Sequence, residues 1–297
     1  MEVLKLDIMS TSKKPDRGAE SMEARISALE AAIGRLSLQL ESSQIALVYP
    51  EPIATPLARE RGAILHHERF FSLLDAIEAF IKYSGAIAIG LFRMAGRDYD
   101  IYEEFKQPPS IGKWVETLHN IVTSLSPDNA ISEALKSSLM KANGKLSPAG
   151  RFFIEEFTNI RNEQRGHAAA LSDNAYEQLH LRHSSVVHDA FDTCAHLRYP
   201  LLCVESADVA TDPISYDVRQ LVGPAPLTRI ERIHSSSKLR LGSVYVWDKA
   251  DCLVDLSDLL VYKTCPTCNL AHTFFLEKIV GKSRHYHSYF GNHRFNL

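Results

Sequence analysis

A short polar stretch at residues 159–167, Asn-Ile-Arg-Asn-Glu-Gln-Arg-Gly-His, contains side chains suited to phosphodiester chemistry. His167 titrates near neutral pH, so it can move a proton to or from a ribose or leaving-group oxygen. Arg161 carries a permanent charge and paired donors that match a phosphorane-like transition state, and Asn162 can position the phosphate or ribose. Together these side chain types could break a phosphodiester bond without a metal ion.

The spacing of Arg161 and His167 sets a geometric condition on such a site. On a continuous α-helix, positions six apart lie about 9 Å apart along the axis and about 120° from eclipse, so the two side chains would not share a face. A helix break at Gly166 is one solution, and pairing of the two motifs across a dimer is the other. If the motif has no function, Arg161 would pair with Glu155 or Glu156 on its own helix.

Two cysteines separated by two residues, Cys265 and Cys268, form a knuckle that can hold one zinc ion. His272 lies four positions after Cys268 and is a candidate third ligand. A fourth ligand would come from one of three later histidines: His285, His287 and His293. The chain has no second Cys-x-x-Cys pair, so two reduced cysteines at a hairpin are the alternative.

An acid-free stretch at residues 281–294 interleaves cations with aromatic rings. Such a strip can follow a single-stranded RNA backbone while its rings stack on bases. Arg284, Tyr286 and Tyr289 are therefore predicted RNA contacts, together with Arg165 inside the motif. The alternative is a final pair of strands that closes a small sheet.

The spacing of apolar residues predicts an α+β fold with two domains. Residues 60–200 show helical spacing and predict an all-helical bundle, whereas residues 201–297 alternate between turns and predict a small antiparallel β-rich domain. The predicted helices cover 65–94 and 112–125 and begin at Ser126-Pro127, Ser147-Pro148 and Asp173. The predicted strands lie within 214–222, 227–233, 239–247 and 252–262.

The first 60 residues are predicted to form a tail, a helix and a linker. Residues 1–20 are polar and predict a disordered tail. Residues 21–45 predict a coiled-coil helix that favours a parallel dimer. Its seam consists of Met22, Ile26, Leu29, Ile33, Leu36 and Leu40. Pro50, Pro52 and Pro56 indicate a linker after this helix.

The motif and its helical surroundings together resemble the HEPN superfamily (higher eukaryotes and prokaryotes nucleotide-binding), whose signature is R-x(4–6)-H. The resemblance covers about residues 60–200 and depends on Arg161-Asn162, on Gly166-His167 and on the order of the helices. Ala168 stands where a small residue, often glycine, follows the histidine. The resemblance implies a metal-independent endoribonuclease, a dimer in which the two motifs face each other, and a role as a toxin or antiphage effector.

Composition and missing motifs exclude several other classes of protein. Of the 297 residues, 45% are apolar and 23% are charged, which excludes wholesale disorder. The run Tyr83–Leu91 is too short for a membrane span, and the start lacks the apolar segment of a secretory signal. A net charge of −3 means that any RNA contact is local. No P-loop, dinucleotide-binding or hydrolase-elbow motif is present.

The sequence therefore predicts a cytoplasmic, homodimeric endoribonuclease that contacts RNA and a regulatory protein but no membrane. Five cysteines, an odd number, favour reduced thiols and agree with a cytoplasmic location. Zinc at Cys265 and Cys268 would be additional to the catalytic chemistry. Two alternatives stay open: a non-catalytic HEPN-like nucleotide-binding or scaffold module, and a zinc-dependent nucleic-acid binder centred on the two cysteines.

Overall fold

The computed structural model describes residues 48–166, 171–224 and 229–297. Within these ranges, helices lie between Glu51 and Arg198, and strands follow from Leu201 onwards. The predicted α+β class is therefore confirmed. The predicted tail (1–20), the coiled-coil helix (21–45) and His167 lie outside the described residues, and the HEPN-like character of the bundle stays a prediction.

The helical part consists of α-helices joined by short connections, with one π-helical and one 3₁₀ turn. The helices are α1 (Glu51–Gly62), α2 (His66–Met94), α3 (Ile101–Glu104), α4 (Ile111–Ser124), α5 (Ala130–Leu139), α6 (Pro148–Arg151), α7 (Phe157–Gly166) and α8 (Asp173–Thr193). The π turn covers Phe152–Glu156 and the 3₁₀ turn covers Ala195–Arg198.

Side-chain caps explain where several helices begin. The Ser147 hydroxyl caps α6 and the Ser172 hydroxyl caps α8, each by accepting a backbone N–H, close to the predicted starts. The predicted start at Ser126-Pro127 is wrong. Helix α5 begins instead after Asn129, because Asn129 and Ser132 each accept the other's backbone N–H in a capping box.

Helix α1 occupies the segment that was predicted to be a linker. Pro52 lies in the first turn, where its missing N–H has no intrahelical partner to lose. Pro56 lies inside the helix and removes one hydrogen bond from it. Ile53 and Leu57 are fully buried, so packing of this helix outweighs the cost of the proline.

The strands form two antiparallel sheets. The first has the order β3-β2-β1-β4-β5 and the second the order β6-β7-β8-β9. The first sheet consists of β1 (Leu201–Asp208), β2 (Ile214–Gln220), β3 (Ile230–Ser235), β4 (Val244–Trp247) and β5 (Leu253–Asp255). The second consists of β6 (Leu260–Thr264), β7 (Ala271–Val280), β8 (Ser283–His287) and β9 (Arg294–Asn296).

Helix α2 is the central element that joins the helices to the sheets. A Cβ atom on Gly85 would lie 2.8 Å from the Trp114 ring of α4, and one on Gly90 would lie 2.6 Å from Val254 of β5. The small residues of α2 therefore let both a helix and a strand approach closely. All described elements belong to one compact unit, Ala46–Leu297. Within the described ranges, we find no helix with the length and apolar character to cross a bilayer.

Candidate functional site

Helix α7 carries the predicted catalytic residues Arg161 and Asn162 and follows directly from the π turn. Phe152 and Phe153 of this turn and Phe157 at the start of α7 are buried, so they anchor the segment in the core. A π turn contains one extra residue per turn and shifts the face that the following helix presents. Such turns are frequent at functional sites. The turn therefore fixes the direction in which Arg161 leaves the helix.

The guanidinium of Arg161 is held by a buried carboxylate on α2. Its Nε donates to Glu78 Oε1 at 3.1 Å, and its Nη1 donates to Asn162 Oδ1 at 3.4 Å. The Glu78 side chain is 7% exposed and that of Arg161 is 32% exposed. Two hydrogen bonds leave N–H groups of Arg161 without a partner among the residues that the structure describes, and Asn162 beside it is exposed. Glu155 instead lies 4.0 Å from Arg151.

The β part also contributes to this arrangement, through Tyr289 in the segment between β8 and β9. The Tyr289 hydroxyl donates to Glu78 Oε2 at 3.2 Å, and the ammonium of Lys82 lies 5.1 Å from the centre of the Tyr289 ring. Three distant parts of the chain thus meet at one carboxylate. Glu78 and Tyr289 were not predicted from the sequence as parts of this arrangement.

The side chains of His167 and Arg165 lie outside the described part of the chain. His167 lies outside the described residues, so its separation from Arg161 stays untested. The backbone of Arg165 belongs to α7, but its side chain is outside the described part of the chain. The predicted break at Gly166 also stays a prediction, because α7 is described as helical up to that residue.

The predicted RNA-binding strip forms β8, a turn and β9, which confirms the alternative of a final strand pair. Tyr286 is 1% exposed and stacks on Phe295 of β9 with ring centres 5.4 Å apart, and Tyr289 is 4% exposed. The prediction that these two rings stack on RNA bases is therefore corrected, because neither ring has an accessible face. Arg284 donates to Asp258 at 2.9 Å and to the Tyr102 hydroxyl at 3.3 Å, and its contact with RNA stays a prediction.

The cysteine knuckle lies between β6 and β7 and faces two histidines. Cys265, Cys268, His272 and His293 each offer one ligand atom, and these four atoms all lie within 4.8 Å of one another. We call these four residues the Cys–His cluster. Of the three later histidines considered as the fourth ligand, His293, just before β9, belongs to the cluster. His285 and His287 do not.

The surroundings of the Cys–His cluster favour metal-binding forms of its side chains. Burial opposes ionisation of Cys265, but the backbone N–H groups of Cys268 and Thr267 lower the pKa of its thiol below the usual value. Burial lowers the pKa of His272. Thiolate and neutral imidazole are the forms that bind zinc.

A cavity of about 650 Å³ lies beside the cluster and is lined by residues of α1 and of both sheets. This volume is within the range of small-molecule sites. Arg219 and Lys263 bring positive charge to its wall, although Arg219 also pairs with Glu205 at 2.6 Å. Glu51 lines the cavity as well; burial raises its pKa to about 7 although hydrogen bonds from Thr273 oppose that shift.

Comparison of this chain with models of protein families, with curated proteins and with solved structures produced no match. The resemblance to HEPN proteins therefore depends on the motif and the order of the helices alone.

Proposed function

We propose that this protein is a metal-independent endoribonuclease of the HEPN type that uses Arg161, Asn162 and His167. The observation that carries the proposal is the arrangement of Arg161: a buried carboxylate orients its guanidinium while a third of the side chain stays exposed. A cation that is both fixed in direction and open to solvent is suited to a phosphate that arrives from outside.

The reaction is a transesterification followed by hydrolysis. The ribose 2′-hydroxyl attacks the adjacent phosphorus, a new P–O2′ bond forms, and the bond to the 5′-oxygen breaks. One proton leaves the 2′-hydroxyl and one is delivered to the departing 5′-oxygen, so a group with a pKa near neutrality serves both steps. His167 is the residue assigned to this proton transfer. The products are a 2′,3′-cyclic phosphate, later opened to a 3′-phosphate, and a 5′-hydroxyl.

Arg161 stabilises the charge that develops on the non-bridging phosphate oxygens. Its Nε donates to Glu78 and its Nη1 to Asn162, so the remaining Nη N–H groups would bind the phosphate. Asn162 is exposed next to it and positions the phosphate or ribose. Glu78 does not touch RNA in this scheme. It is a positioning residue, because it holds Arg161 in one orientation.

A homodimer supplies the second half of the site. The predicted coiled-coil helix at 21–45 would bring two chains together, and the motifs of two chains would then face each other. In that arrangement Arg161 of one protomer and the histidine of the other meet in one groove. A toxin or antiphage role in the cytoplasm, controlled by a regulatory protein, fits a nuclease of this kind.

A second candidate function is a non-catalytic module that binds a nucleotide. Two observations favour it: the ion pair with Glu78 offsets the charge of Arg161, and the 650 Å³ cavity has Arg219 and Lys263 in its wall. Lys263 would contact the nucleotide phosphate, whereas Arg219 is shared with Glu205 of the same wall. This candidate predicts nucleotide binding without RNA cleavage.

The experiment that tests the nuclease is cleavage of end-labelled single-stranded RNA by the full-length chain without added magnesium. We expect 2′,3′-cyclic phosphate or 3′-phosphate ends. His167→Ala should lower the rate about 10²–10⁴-fold, because a positioned acid or base contributes that much, whereas the control His119→Ala should cleave normally. Cleavage that requires magnesium, or normal cleavage by His167→Ala, would show the mechanism to be wrong. Nucleotide binding with no cleavage of any RNA tested would favour the second candidate.

A further inference from the structure

We propose that the Cys–His cluster binds one structural zinc ion, with His293 as the fourth ligand, and that this ion ties the β6–β7 turn to the segment before β9. Two thiolates and two imidazoles are a donor set that zinc prefers in structural sites. The proposal goes beyond the nuclease function, which requires no metal.

Two distances within the cluster match those of a tetrahedral zinc site. Zinc–sulfur bonds of about 2.3 Å and zinc–nitrogen bonds of about 2.05 Å at a tetrahedral angle place sulfur and nitrogen about 3.6 Å apart. Cys265 Sγ lies 3.3 Å from His293 Nδ1, and Cys268 Sγ lies 3.8 Å from His272 Nε2. These two distances bracket the expected value. Because all four ligand atoms lie within 4.8 Å of one another, the wider pairs would have to close by at most about 1 Å around an ion.

The backbone of the knuckle is shaped to present both thiols to one point. The Thr267 N–H donates to Cys265 Sγ at 3.3 Å, and the Asn269 N–H donates to the Cys265 carbonyl at 2.9 Å. Asn269 has a φ of 59°, which asparagine adopts more readily than most residues. An N–H donated to sulfur stabilises a thiolate, which is the charge that a metal ion requires of its ligand.

The protonation of His272 follows from its buried partners. Its Nδ1 lies 2.8 Å from Ser288 Oγ and 3.5 Å from the Thr273 carbonyl, and a carbonyl can only accept a hydrogen bond. We therefore assign the proton to Nδ1, which leaves the lone pair of Nε2 directed at Cys268. A histidine ligand that donates its other ring N–H to a protein oxygen is the usual arrangement at zinc sites.

Packing also selects His293 from the three candidate histidines. Gly291 precedes it with a φ of 65°, and a Cβ atom there would lie 2.9 Å from His293 Nε2. The glycine therefore lets the imidazole lie against the turn with its Nδ1 towards Cys265. On the other side of the cluster, the Phe274 ring stacks on His272 with centres 4.3 Å apart. Phe274 and Phe290 thus place apolar rings beside His272.

The cluster is structural because four protein ligands complete a tetrahedron and leave no position for substrate. Its position has a consequence for the candidate nuclease site. The segment that the ion would fix also contains Tyr289, whose hydroxyl donates to Glu78, the partner of Arg161. This last consequence depends on the proposed function, whereas zinc binding does not.

The proposal is tested by the metal content and ligand field of the full-length chain. Elemental analysis after gel filtration should find about one zinc per chain. Cobalt-substituted protein should show the visible absorption of a tetrahedral site and the near-ultraviolet bands of thiolate ligands. Zinc well below one equivalent, iron in its place, or an octahedral cobalt spectrum would overturn the assignment. Neither measurement depends on RNA cleavage, so failure here is distinct from failure of the nuclease.

Matched variants test the four ligands individually. Cys268→Ser and His293→Asn should each lose most of the zinc, while Cys252→Ser and His285→Asn, which are similarly half-buried but outside the cluster, should keep it. Ser288→Ala retains all four ligands, so it keeps the proposal testable if the ligand variants fail to fold. We expect it to bind zinc about 10–100-fold more weakly in competition with a chelator. Full zinc retention in Cys268→Ser and His293→Asn would contradict the assignment.

Discussion

The Arg161 region and the Cys–His cluster are positioned in opposite ways. Arg161 depends on Glu78, 83 residues earlier in the chain, and Glu78 in turn contacts Tyr289, 211 residues later than itself. The contact between Cys265 and His293 spans only 28 residues, and the ligands lie on neighbouring strands and turns. The first site thus depends on how helices and sheets pack, whereas the second depends on the local register of one small sheet.

This difference indicates how the two sites should respond to substitution of a residue or loss of an ion. A site held by long-range packing loses its geometry when one central partner is removed. A site closed by local turns keeps its scaffold and loses only its ion. The two are connected through the segment between β8 and β9, which carries both Tyr289 and His293.

Glu78→Ala should have the largest effect, because it removes the partner of Arg161 and Tyr289 at once. Breaking a buried ion pair costs about 3–5 kcal/mol, and the partial exposure of Arg161 places this case at the lower end. RNA cleavage should also fall about 10–100-fold as Arg161 loses its orientation. Urea unfolding and cleavage rates measure the two effects. Glu155→Ala, on the exposed pair with Arg151, is the control, and equal behaviour of the two variants would refute the role of Glu78.

Removal of zinc should destabilise the protein by a similar amount. If free zinc is present at about 1,000 times its Kd, binding stabilises the folded state by about 4 kcal/mol. Urea unfolding with and without a strong chelator measures this difference. The Cys268→Ser variant should show no chelator effect. A wild-type protein that unfolds at the same urea concentration in both conditions would contradict the proposed ion.

Glu78 and Glu51 are both buried carboxylates with different partners. Glu78 pairs with the Arg161 cation, whereas Glu51 accepts hydrogen bonds from the Thr55 hydroxyl and the Thr273 backbone N–H. Burial raises the pKa of Glu51 to about 7 in the folded protein, above its usual value of 4.5. Because the folded state binds this proton more tightly, its contribution favours folding at low pH and is lost as pH rises from about 4.5 through 7.

Glu51→Gln should therefore stabilise the protein above pH 7, by up to about 3 kcal/mol at 1.4 kcal/mol per pKa unit. This gain should fall as pH decreases and should nearly vanish below pH 4.5. Urea unfolding of both proteins from pH 5 to 8 gives the result. A difference that is independent of pH would mean that Glu51 has the same pKa in the folded and unfolded states.

Tyr289→Phe should have the smallest effect, because it removes one hydrogen bond to Glu78 and keeps the ring. A hydrogen bond to a charged group is worth about 1.5–3 kcal/mol, but Arg161 still holds the other carboxylate oxygen. We expect a loss near 1.5 kcal/mol and a cleavage rate lowered a few-fold. Loss of zinc from Tyr289→Phe would show that the two sites are not separable.

Regular periodicity made part of this fold predictable. Helix α2 covers residues 66–94 against the predicted 65–94, because its apolar residues repeat without interruption over many turns. Strand β1 was not among the predicted strands, because its first half, Leu-Leu-Cys-Val, is buried on both faces and shows no alternation. Helix α1 was missed because Pro50 before it and Pro52 and Pro56 within it suggested a linker, although tertiary packing tolerates them there.

Some site residues could be predicted from the sequence, whereas others depend on turns or on contacts between distant segments. Spacing identified Cys265, Cys268 and His272, but the choice among three later histidines depends on the turn at Gly291, which no periodicity describes. Motif type identified Arg161, yet its partner Glu78 could not be predicted, since contacts between distant helices leave no pattern in a single sequence. The π turn before α7 could not be predicted either, because nothing in its composition distinguishes it from an ordinary helical turn.

The central claim is that Arg161 acts on the RNA phosphate, and single-turnover cleavage tests it most directly. The matched pair is Arg161→Ala and Arg151→Ala. Arg161 lies in α7, whereas Arg151 is the last residue of α6 and forms an exposed ion pair with Glu155, so Arg151→Ala serves as the control. We predict that Arg161→Ala cleaves at least about 100-fold more slowly than wild type, with unchanged zinc content, while Arg151→Ala cleaves at the wild-type rate. Cleavage by Arg161→Ala at the wild-type rate would show that Arg161 does not act on the phosphate.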